Sequence, residues 1–383
     1  MKRAVVYGAG KIGRSFIGRI LADSGFDVCF LDILHEVVDG INANGGYTIR
    51  IVSEGGEAYK AVKSVRALHS LTDDARAEIA RCDIACTCVG ANSLPLIAPI
   101  LAQSIVERMK KGGGALDILL CENQIGADAL MHGWIYECLS EEEKAWAEQH
   151  VGLVQASIGC TATLRDAQEP AENPPVVTVD SYSELPVDKA GFRGAIPDIL
   201  GLFPYTPFDF YIKRKLFLHN GGHTICAYLG YEKGYTYIWE AIADLEIHSA
   251  VEAFMQASGK ALIARFGEEI RENVEQMIPS LLSRFADRAL MDTTARVGAD
   301  PIRKLRRNDR LTGAALLAVE QEVDPAPIVR GICAALRYDN PNDAAAQELR
   351  RALTENGIDF VLQTVLELAP EEALYNIVRR CFA

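Results

Sequence analysis

Residues 211 to 230, YIKRKLFLHNGGHTICAYLG, contain the side chains of this chain that are best suited to chemistry. If this segment is one helix with about 100° per residue, Lys215, His223 and Asn220 lie at roughly 0°, 80° and 140° around it. His219 falls between them, at roughly 40°. One helix face would then carry a base, an amide and two imidazoles. Such groups can transfer a proton and hold the hydroxyl groups of a bound molecule.

Residue types at both ends of the segment predict where this helix begins and ends. Thr206, Pro207 and Asp209 suit an N-cap, a first helical position and a first turn. Gly230 is a typical C-terminal stop. The residues between them are apolar around most of the circumference, which predicts a helix buried in protein.

Gly221 and Gly222 stand inside the predicted helix, where together they cost about 2 kcal/mol relative to alanine. This cost indicates a close approach to the backbone, and a substrate or a cofactor is the first candidate. The alternative is a structural helix, because a lysine or histidine in a helix is more often solvated or hydrogen-bonded than catalytic.

The composition is that of a globular protein with more than one domain. The chain has 383 residues, of which 49% are hydrophobic and 24% charged, enough for two separate cores. Its net charge of −13 argues against binding to nucleic acids or acidic membrane surfaces. The sequence lacks an uncharged apolar run of about 18 residues. The N-terminus, MKRAVVYGAGKIG, lacks the apolar core of a signal peptide, so we expect a cytoplasmic protein.

The ten cysteines are scattered and lie mostly in apolar runs, as expected of buried thiols in a reducing compartment. Cys82, Cys86 and Cys88 form a cluster, but no second cluster would complete four zinc ligands and no HExxH occurs. We therefore expect no metal site.

The N-terminal residues have the pattern of a dinucleotide-binding turn. The apolar run Arg3–Tyr7 is followed by GxGxxG and then by the helical pattern RSFIGRILADSGF. A second apolar run ends at Asp32, near the place of a ribose-binding acid, and an aspartate there favours NAD over NADP. We predict an α/β doubly wound (Rossmann) domain; one that binds another ligand, or none, is the alternative. The predicted NAD contacts are Gly8, Ala9, Gly10, Lys11, Ile12, Gly13 and Asp32.

Two further buried strands are predicted at residues 83 to 89 and 115 to 120. Ligands of open parallel sheets bind beyond the carboxyl ends of the strands. Val89, Gly90 and Asn123 are therefore predicted to line the site. A turn or helix-cap residue is the alternative for Asn123.

Other N-terminal segments complete the predicted domain. Residues 47 to 66 alternate and predict an inserted hairpin, and Leu94–Lys110 predicts a helix. Residues 151 to 158 and 176 to 179 are predicted to complete the sheet. Between them, residues 166 to 175 have the composition of an exposed loop.

The C-terminal half predicts a mostly α-helical domain. Strand patterns fade near residue 195, so we place an NAD-binding domain at residues 1 to 195 and a helical substrate domain at 196 to 383. Residues 296 to 311, RVGADPIRKLRRNDRL, are basic and could hold a phosphate or carboxylate; a solvated helix face is the alternative. The predicted helical segments are 206–229, 236–266, 268–286, 310–322, 325–337, 343–355, 358–368 and 370–381.

Lys215, Asn220 and His223 are spaced as Lys-x4-Asn-x2-His. This spacing resembles the signature of the polyol-specific long-chain dehydrogenases/reductases, and the resemblance runs nearly end to end. Its supports are GAGKIGRSFIGRILADSGF, RKLFLHNGGHTICAYLG and RVGADPIRKLRRNDRL, in that order. The chain length suits the members that act on a sugar phosphate.

The resemblance implies metal-independent hydride transfer between NAD and a secondary alcohol, with mannitol 1-phosphate and fructose 6-phosphate as the pair. Lys215 would be the general base, which requires a lowered pKa. Asn220, with Asn123, would donate to the substrate oxygen, and His223 would orient a hydroxyl group. At the far side of the substrate, the resemblance implies contacts from Arg296 and Lys304, and a phosphate contact from their neighbour Arg303. The partner is then a small molecule, and the protein a monomer or small homo-oligomer.

Some residues depart from the family pattern. Lys11 stands where relatives usually have Asn, and Ser15 where they have Gly. Gly159 and Cys160 replace an Asp-Arg pair. These departures leave open another sugar phosphate, a free polyol or a hexuronate as substrate, and also an NAD-binding sensor without turnover.

Overall fold

The computed structural model describes residues 2–53, 56–124, 126–164 and 173–382. These residues form two compact units, Met1–Asp209 and Phe210–Ala383. Most of the predicted loop at 166 to 175 lies outside the described residues, as do residues 54 and 55 of the predicted hairpin. Within the described chain, no helix combines the length and apolarity needed to span a bilayer.

The N-terminal unit is built on a parallel sheet of six strands in the order β5-β2-β1-β6-β7-β8. Neighbouring residues of its strands, such as Val5 and Val6, enter cores on opposite faces, which explains the continuous apolar runs in the sequence. This sheet confirms the predicted doubly wound fold. Its strands are β1 (Arg3–Tyr7), β2 (Asp27–Asp32), β5 (Val65–His69), β6 (Ile84–Thr87), β7 (Leu116–Leu120) and β8 (Val151–Gln155).

A second sheet, in the order β4-β3-β10-β9, confirms one prediction and corrects another. Its strands are β3 (Gly46–Ser53), β4 (Gly56–Lys63), β9 (Ala162–Leu164) and β10 (Val177–Asp180). The predicted hairpin is the antiparallel pair β3 and β4. The prediction that residues 176 to 179 complete the main sheet was wrong, because β10 pairs with the hairpin strand β3 instead. Strands β11 (Leu185–Asp188) and β12 (Leu202–Tyr205) form a separate parallel pair.

Helices cover both faces of the main sheet. They are α1 (Arg19–Asp23), α2 (His35–Asn44), α3 (Asp73–Arg81), α4 (Leu94–Lys110), α5 (Ala127–Tyr136) and α6 (Glu141–His150). Helix α4 has the predicted bounds. Thr72 caps α3, and Ser140 caps α6 through a capping box with Glu143, so both helices begin where a side-chain acceptor satisfies their first amides.

The C-terminal unit is helical, as predicted. Its helices are α7 (Asp209–Arg214), α8 (Gly221–Glu232), α9 (Ile238–Ala243), α10 (Leu245–Phe266), α11 (Arg271–Phe285), α12 (Thr294–Gly298), α13 (Pro301–Leu305), α14 (Thr312–Glu320), α15 (Ala326–Arg337), α16 (Ala344–Thr364) and α17 (Ala373–Phe382). The segment predicted at 236 to 266 is two helices, because Asp244 caps a new helix there. Gly357 has φ +81° inside α16 and marks the kink near the predicted break.

The segment with the candidate base differs from one regular helix. It begins at Asp209, after the bend that follows β12, and not at Thr206. Between α7 and α8, Lys215–Asn220 form a π-helix. Helix α8 continues past Gly230 to Glu232. Gly230 is not a stop but lets Ala241 approach, since a Cβ there would lie 2.6 Å from that side chain.

Gly221 and Gly222 do permit a close approach, but the approaching group is protein. A Cβ on Gly221 would lie 2.7 Å from the ring of Phe254, and one on Gly222 would lie 2.2 Å from Met255 Cε. Both partners are fully buried residues of α10. The close approach at these glycines therefore serves the packing of α8 on α10, and the expectation of a ligand there was wrong.

Candidate active site

The glycine turn is closed toward the protein and open at Gly10. Gly8 has φ +102°, and a Cβ there would lie 2.5 Å from the carbonyl oxygen of Cys88. A Cβ on Gly13 would lie 2.0 Å from the carbonyl oxygen of Gly8. Gly10 is exposed, and a Cβ there would meet no atom within 4 Å. The turn therefore leaves space beside its backbone for a ligand group.

Asp32 joins the end of β2 to this turn. Its Oδ2 accepts a 2.7 Å hydrogen bond from the amide of Ala9, and its Oδ1 accepts one of 3.0 Å from the amide of Leu34. An ionised carboxylate has about four lone-pair sites, so each oxygen can still accept from a hydroxyl group. The side chain is half-buried at the carboxyl edge of the sheet.

Arg14 stabilises the turn through hydrogen bonds to backbone carbonyl groups. Its Nε donates to the carbonyl of Ala9 at 2.7 Å, and its Nη1 donates to that of Pro175 at 2.6 Å. The hydroxyl of Tyr47 donates to the carbonyl of Arg14 at 2.7 Å. Arg14 belongs to a second π-helix, Gly13–Gly18, which follows Lys11 and Ile12. These bonds hold the turn without using its open side.

Glu122 links the ends of two neighbouring strands. It is 7% exposed and accepts from Thr87 Oγ1 at 2.5 Å and from the amide of Val89 at 2.9 Å. Burial raises the pKa of Glu122 to about 7. Beyond it, Gly90 has φ +87° with no atom within 4 Å of a Cβ, and Asn123 is exposed. The predicted Val89, Gly90 and Asn123 thus lie at the carboxyl edge of the sheet.

The π-helix changes the predicted arrangement of the candidate base. Its i→i+5 hydrogen bonds widen the turn, so the angles expected from a regular helix do not apply between Lys215 and Asn220. Lys215, Asn220 and His223 are half-buried, and His219 is buried. The ring centroids of His219 and His223 lie 6.2 Å apart.

Asp292 joins His223 to Arg296. Its Oδ2 lies 3.3 Å from His223 Nε2, and its Oδ1 accepts from Arg296 Nε at 2.6 Å. Phe285 stacks on the His223 ring at 4.7 Å and 14°. Burial alone raises the pKa of Asp292, but its interactions with His223 and Arg296 outweigh this effect and lower the pKa. The carboxylate is therefore ionised at neutral pH.

Two side-chain nitrogens on the π-helix have no hydrogen-bond partner in the described part of the chain, His219 Nδ1 and Asn220 Nδ2. Burial, with the charges of Arg284, His223, Lys215 and Arg310, lowers the pKa of His219 well below its usual range. A buried polar group without a partner costs about 1 to 3 kcal/mol. Both atoms are therefore suited to hydrogen bonds with a ligand or water.

Lys304 is another buried basic residue of the C-terminal unit. It is 4% exposed and forms no ion pair with any residue the structure describes. Burial, followed by the charges of Arg310 and Arg303, lowers the pKa of Lys304 to about 7. Arg303 is exposed and pairs with Asp300 at 3.0 Å.

The structure brings the C-terminal candidates into two sets. His223 and Arg296 share Asp292 as a partner, and Asn220 stands three residues before His223. Lys304 and His219 are both near enough to Arg310 for its charge to lower their pKa values. Arg303 faces solvent. The glycine turn and Asn123 belong to the N-terminal unit, so the placement of Lys215 beside the nicotinamide stays a prediction.

Sequence reasoning missed Asp292, Arg284 and the role of Glu122 as a strand link. The i, i+4 spacing of Asp292 and Arg296 is a local signal of their ion pair. No local pattern indicates that Asp292 also meets His223, because the two are far apart in the chain. Over the described residues, no three His, Cys, Asp or Glu side chains are grouped to hold a metal ion.

Comparison with known proteins adds the family. The model of the mannitol dehydrogenase Rossmann domain matches residues 2–201, and that of the mannitol dehydrogenase C-terminal domain matches residues 208–371. A substrate-free D-sorbitol dehydrogenase matches with TM-score 0.77 and 14% identity, over 93% of this chain and 94% of its own. Pseudomonas fluorescens mannitol 2-dehydrogenase, solved with NAD and D-mannitol, matches with TM-score 0.74 and 14% identity, over 100% and 91%.

At this identity the two structures show a shared fold and no more. The two domain models, in contrast, together match nearly the whole chain. They confirm the relationship predicted from the Lys-x4-Asn-x2-His motif: this chain belongs to the mannitol dehydrogenase family.

Proposed function

We propose that the chain is an NAD-dependent dehydrogenase that interconverts mannitol 1-phosphate and fructose 6-phosphate, the activity of a mannitol-1-phosphate 5-dehydrogenase. The observation that carries the proposal is the burial of Lys304, which is 4% exposed and has no ion-pair partner among the described residues. In a chain of net charge −13, a buried ammonium group without an ion pair is costly unless an anion binds. A phosphate group is such an anion.

NAD is the cofactor that fits the N-terminal unit. When bound, it would accept the hydride from the alcohol carbon. The open side of Gly10 and the amides of the following helical turn suit a pyrophosphate, and Asp32 keeps acceptor capacity for a ribose hydroxyl. The negative charge of Asp32 would repel the 2′-phosphate of NADP. Val89 and Gly90 would line the same edge.

The proton chemistry is assigned to the C-terminal unit and to Asn123. Lys215 takes the proton of the substrate hydroxyl as general base during oxidation and returns it during reduction. The amide of Asn220 donates to the same oxygen as negative charge develops on it, and Asn123 assists. His223 orients a neighbouring hydroxyl group.

The far end of the substrate is assigned to Arg296, Lys304 and Arg303. Buried Lys304 suits a phosphate because the anion would replace the water that its ammonium has lost. Exposed Arg303, already paired with Asp300, would contribute less. We place the nucleotide function in residues 1 to 195 and the substrate function in 196 to 383.

The test is NADH oxidation with fructose 6-phosphate, compared with fructose and with a hexuronate. We expect turnover with the phosphate ester. Lys215→Ala should lower kcat by about 10²- to 10⁴-fold, the usual contribution of a general base, while NADH still binds. Lys260→Ala, at an exposed position of α10, is the matched control and should keep full activity. A Lys215→Ala enzyme with undiminished turnover would remove the proposed base.

A second candidate function is oxidation of an unphosphorylated polyol or a hexuronate. Its support is the segment at Gly159, where a Cβ would lie 2.7 Å from the ring of Tyr182. That ring leaves little room for the aspartate that the family resemblance implies at this position, so we expect this chain to contact the sugar differently there. Higher kcat/KM for fructose or a hexuronate than for fructose 6-phosphate would favour this candidate. NADH binding without turnover of any of these would favour a sensor.

We also propose a cytoplasmic location. All ten cysteines are free thiols, which supports a reducing compartment. Fractionation of cells that produce the protein would test this location, and light scattering would determine whether it is a monomer or a small homo-oligomer.

A further inference from the structure

The backbone around Asp292 is held in place by a neighbouring segment. Its carbonyl accepts from the amide of Ile238 at 2.9 Å, and the amide of Thr294 donates to the carbonyl of Thr236 at 2.9 Å. Met291, just before it, has φ +48°, a left-handed conformation that is uncommon for a residue with a side chain. Uncommon backbone conformations of this kind persist where surrounding contacts enforce them. The contacts here aim the Asp292 side chain at α8.

The two oxygens of Asp292 have different partners. Oδ2 faces His223 Nε2 at 3.3 Å, and Oδ1 accepts from Arg296. An ionised carboxylate can only accept hydrogen bonds, so Nε2 of His223 must carry a hydrogen. In a neutral imidazole, Nδ1 is then an acceptor.

Building on the function proposed above, we propose that Asp292 is a positioning residue of this active site. It fixes His223 as the Nε2–H tautomer, so that Nδ1 accepts from a substrate hydroxyl group. It also engages Nε and Nη2 of Arg296, which leaves Nη1 for the substrate.

A plain surface ion pair would not have these properties. Exposed i, i+4 pairs contribute little to stability and need no third partner. Asp292 is 8% exposed, and the His223 ring is held between its carboxylate and the stacked Phe285. Two contacts on different parts of one imidazole set its orientation, which is the purpose of a positioning residue.

The first test reads the tautomer directly. In protein labelled with ¹⁵N-histidine, long-range ¹⁵N–¹H correlation spectra should show His223 as the Nε2–H form, assigned by its loss in His223→Ala. In Asp292→Asn the single carbonyl oxygen cannot serve both His223 and Arg296. Arg296 donates to Oδ1 from both Nε and Nη2, so the remaining carbonyl oxygen should stay with Arg296. The NH₂ group then faces Nε2, and the tautomer should change to Nδ1–H, as a comparable Asp→Asn change does in serine proteases.

Asp339→Asn is the matched control, because Asp339 pairs with Arg350 on the surface. It should leave the His223 signals unchanged. An Nδ1–H tautomer in the wild-type protein, or an Asp292→Asn protein with an unchanged tautomer, would overturn the proposal. The wild-type spectrum alone decides this if the variant fails to fold.

The second test is kinetic. Asp292→Asn should lower kcat/KM for the preferred substrate by about 10- to 100-fold, the range for a hydrogen bond to a charged group. The loss should appear at least partly as a raised KM for the sugar, while the KM for NADH stays within about twofold; a smaller folded fraction would instead lower the apparent kcat and leave both KM values unchanged. In a His223→Ala background the same substitution should cost much less, because its effect passes through the imidazole. Equal losses in both backgrounds would refute the positioning role.

The two proposals can fail separately. If the wild-type protein oxidises NADH with none of the sugars, the proposed function fails. The tautomer measurement still shows whether Asp292 sets the state of His223.

Discussion

Replacement of Lys304 by methionine should stabilise the folded protein while it impairs binding of a phosphorylated substrate. Lys304 is 4% exposed and has no ion-pair partner within the part of the chain that the structure describes. Methionine has a similar length and no charge, so it can fill the same space. Opposite effects on stability and binding would identify a residue kept for function.

The magnitude follows from the pKa. Burial and the nearby arginines lower the pKa of Lys304 from 10.5 to about 7. At pH 7 the unfolded chain binds the ammonium proton of Lys304 far more tightly than the folded protein does. This difference lowers the free energy of unfolding by an amount on the order of 4 kcal/mol. Between pH 7 and 10.5 the unfolded state binds more protons, so this residue makes stability rise with pH in that window. Lys304→Met should therefore be more stable than the wild type at pH 7, and its stability should lack this rise between pH 7 and 10.5.

The assay is denaturant unfolding of wild type and Lys304→Met at pH 7 and at pH 9.5. We expect a higher midpoint for the variant at pH 7 and a smaller difference at pH 9.5. Lys260→Met, at an exposed lysine, is the control and should change the midpoint little. In kinetics, KM for fructose 6-phosphate should rise by about 10- to 100-fold in Lys304→Met, with a much smaller change for fructose.

Two results would refute this reasoning. A destabilised Lys304→Met protein at pH 7 would mean that the lysine has favourable partners in solution. Unchanged kinetics with fructose 6-phosphate would mean that Lys304 does not contact the phosphate.

The remaining predictions concern the N-terminal unit. Gly10→Ala should leave the unfolding midpoint nearly unchanged, because its Cβ meets no protein atom within 4 Å, but it should weaken NADH binding in a fluorescence titration. Gly18→Ala should instead lower the unfolding midpoint, because its Cβ would lie 2.3 Å from a buried ring. The raised pKa of Glu122 should make the wild-type protein lose about 3 kcal/mol of stability as the pH rises from 4.5 to 7, because the folded state holds the Glu122 proton more tightly than the unfolded state. Glu122→Gln should not show this loss. Equal changes of the unfolding midpoint with pH in both proteins would contradict this. Asp32→Asn should shift cofactor preference from NADH toward NADPH, as measured by kcat/KM for each; an unchanged ratio would show that Asp32 does not contact the ribose.

Patterns that depend on neighbouring residues were predicted well. The order of glycine turn, strands and helices in the N-terminal half follows from apolar periodicity and glycine positions, and the structure confirms it. Helix α4 was placed correctly at both ends, because its apolar periodicity is long and its flanks are polar or glycine-rich. The helical C-terminal half was recognised for the same reason.

Predictions were wrong where the local pattern of a segment is compatible with more than one packing partner. The alternation at residues 176 to 179 indicates a strand but not its sheet, and pairing with β3 was decided by the hairpin. A helical pattern likewise does not distinguish an α-helix from the π-helix at Lys215–Asn220, because both bury similar faces. The glycines of α8 indicated a close approach, but only packing could show that α10 makes it.

By itself, the sequence determined the two kinds of domain, the glycine turn with Asp32 and the spacing of Lys215, Asn220 and His223. These features depend on residues within a few turns of each other, where local geometry links residue type to position. Tertiary structure alone decided that Asp292 contacts His223, that Glu122 accepts a hydrogen bond from Thr87, and that Lys304 is buried near arginines. Such pairs come together only when separate elements pack, and the burial that packing creates is also what shifts their pKa values.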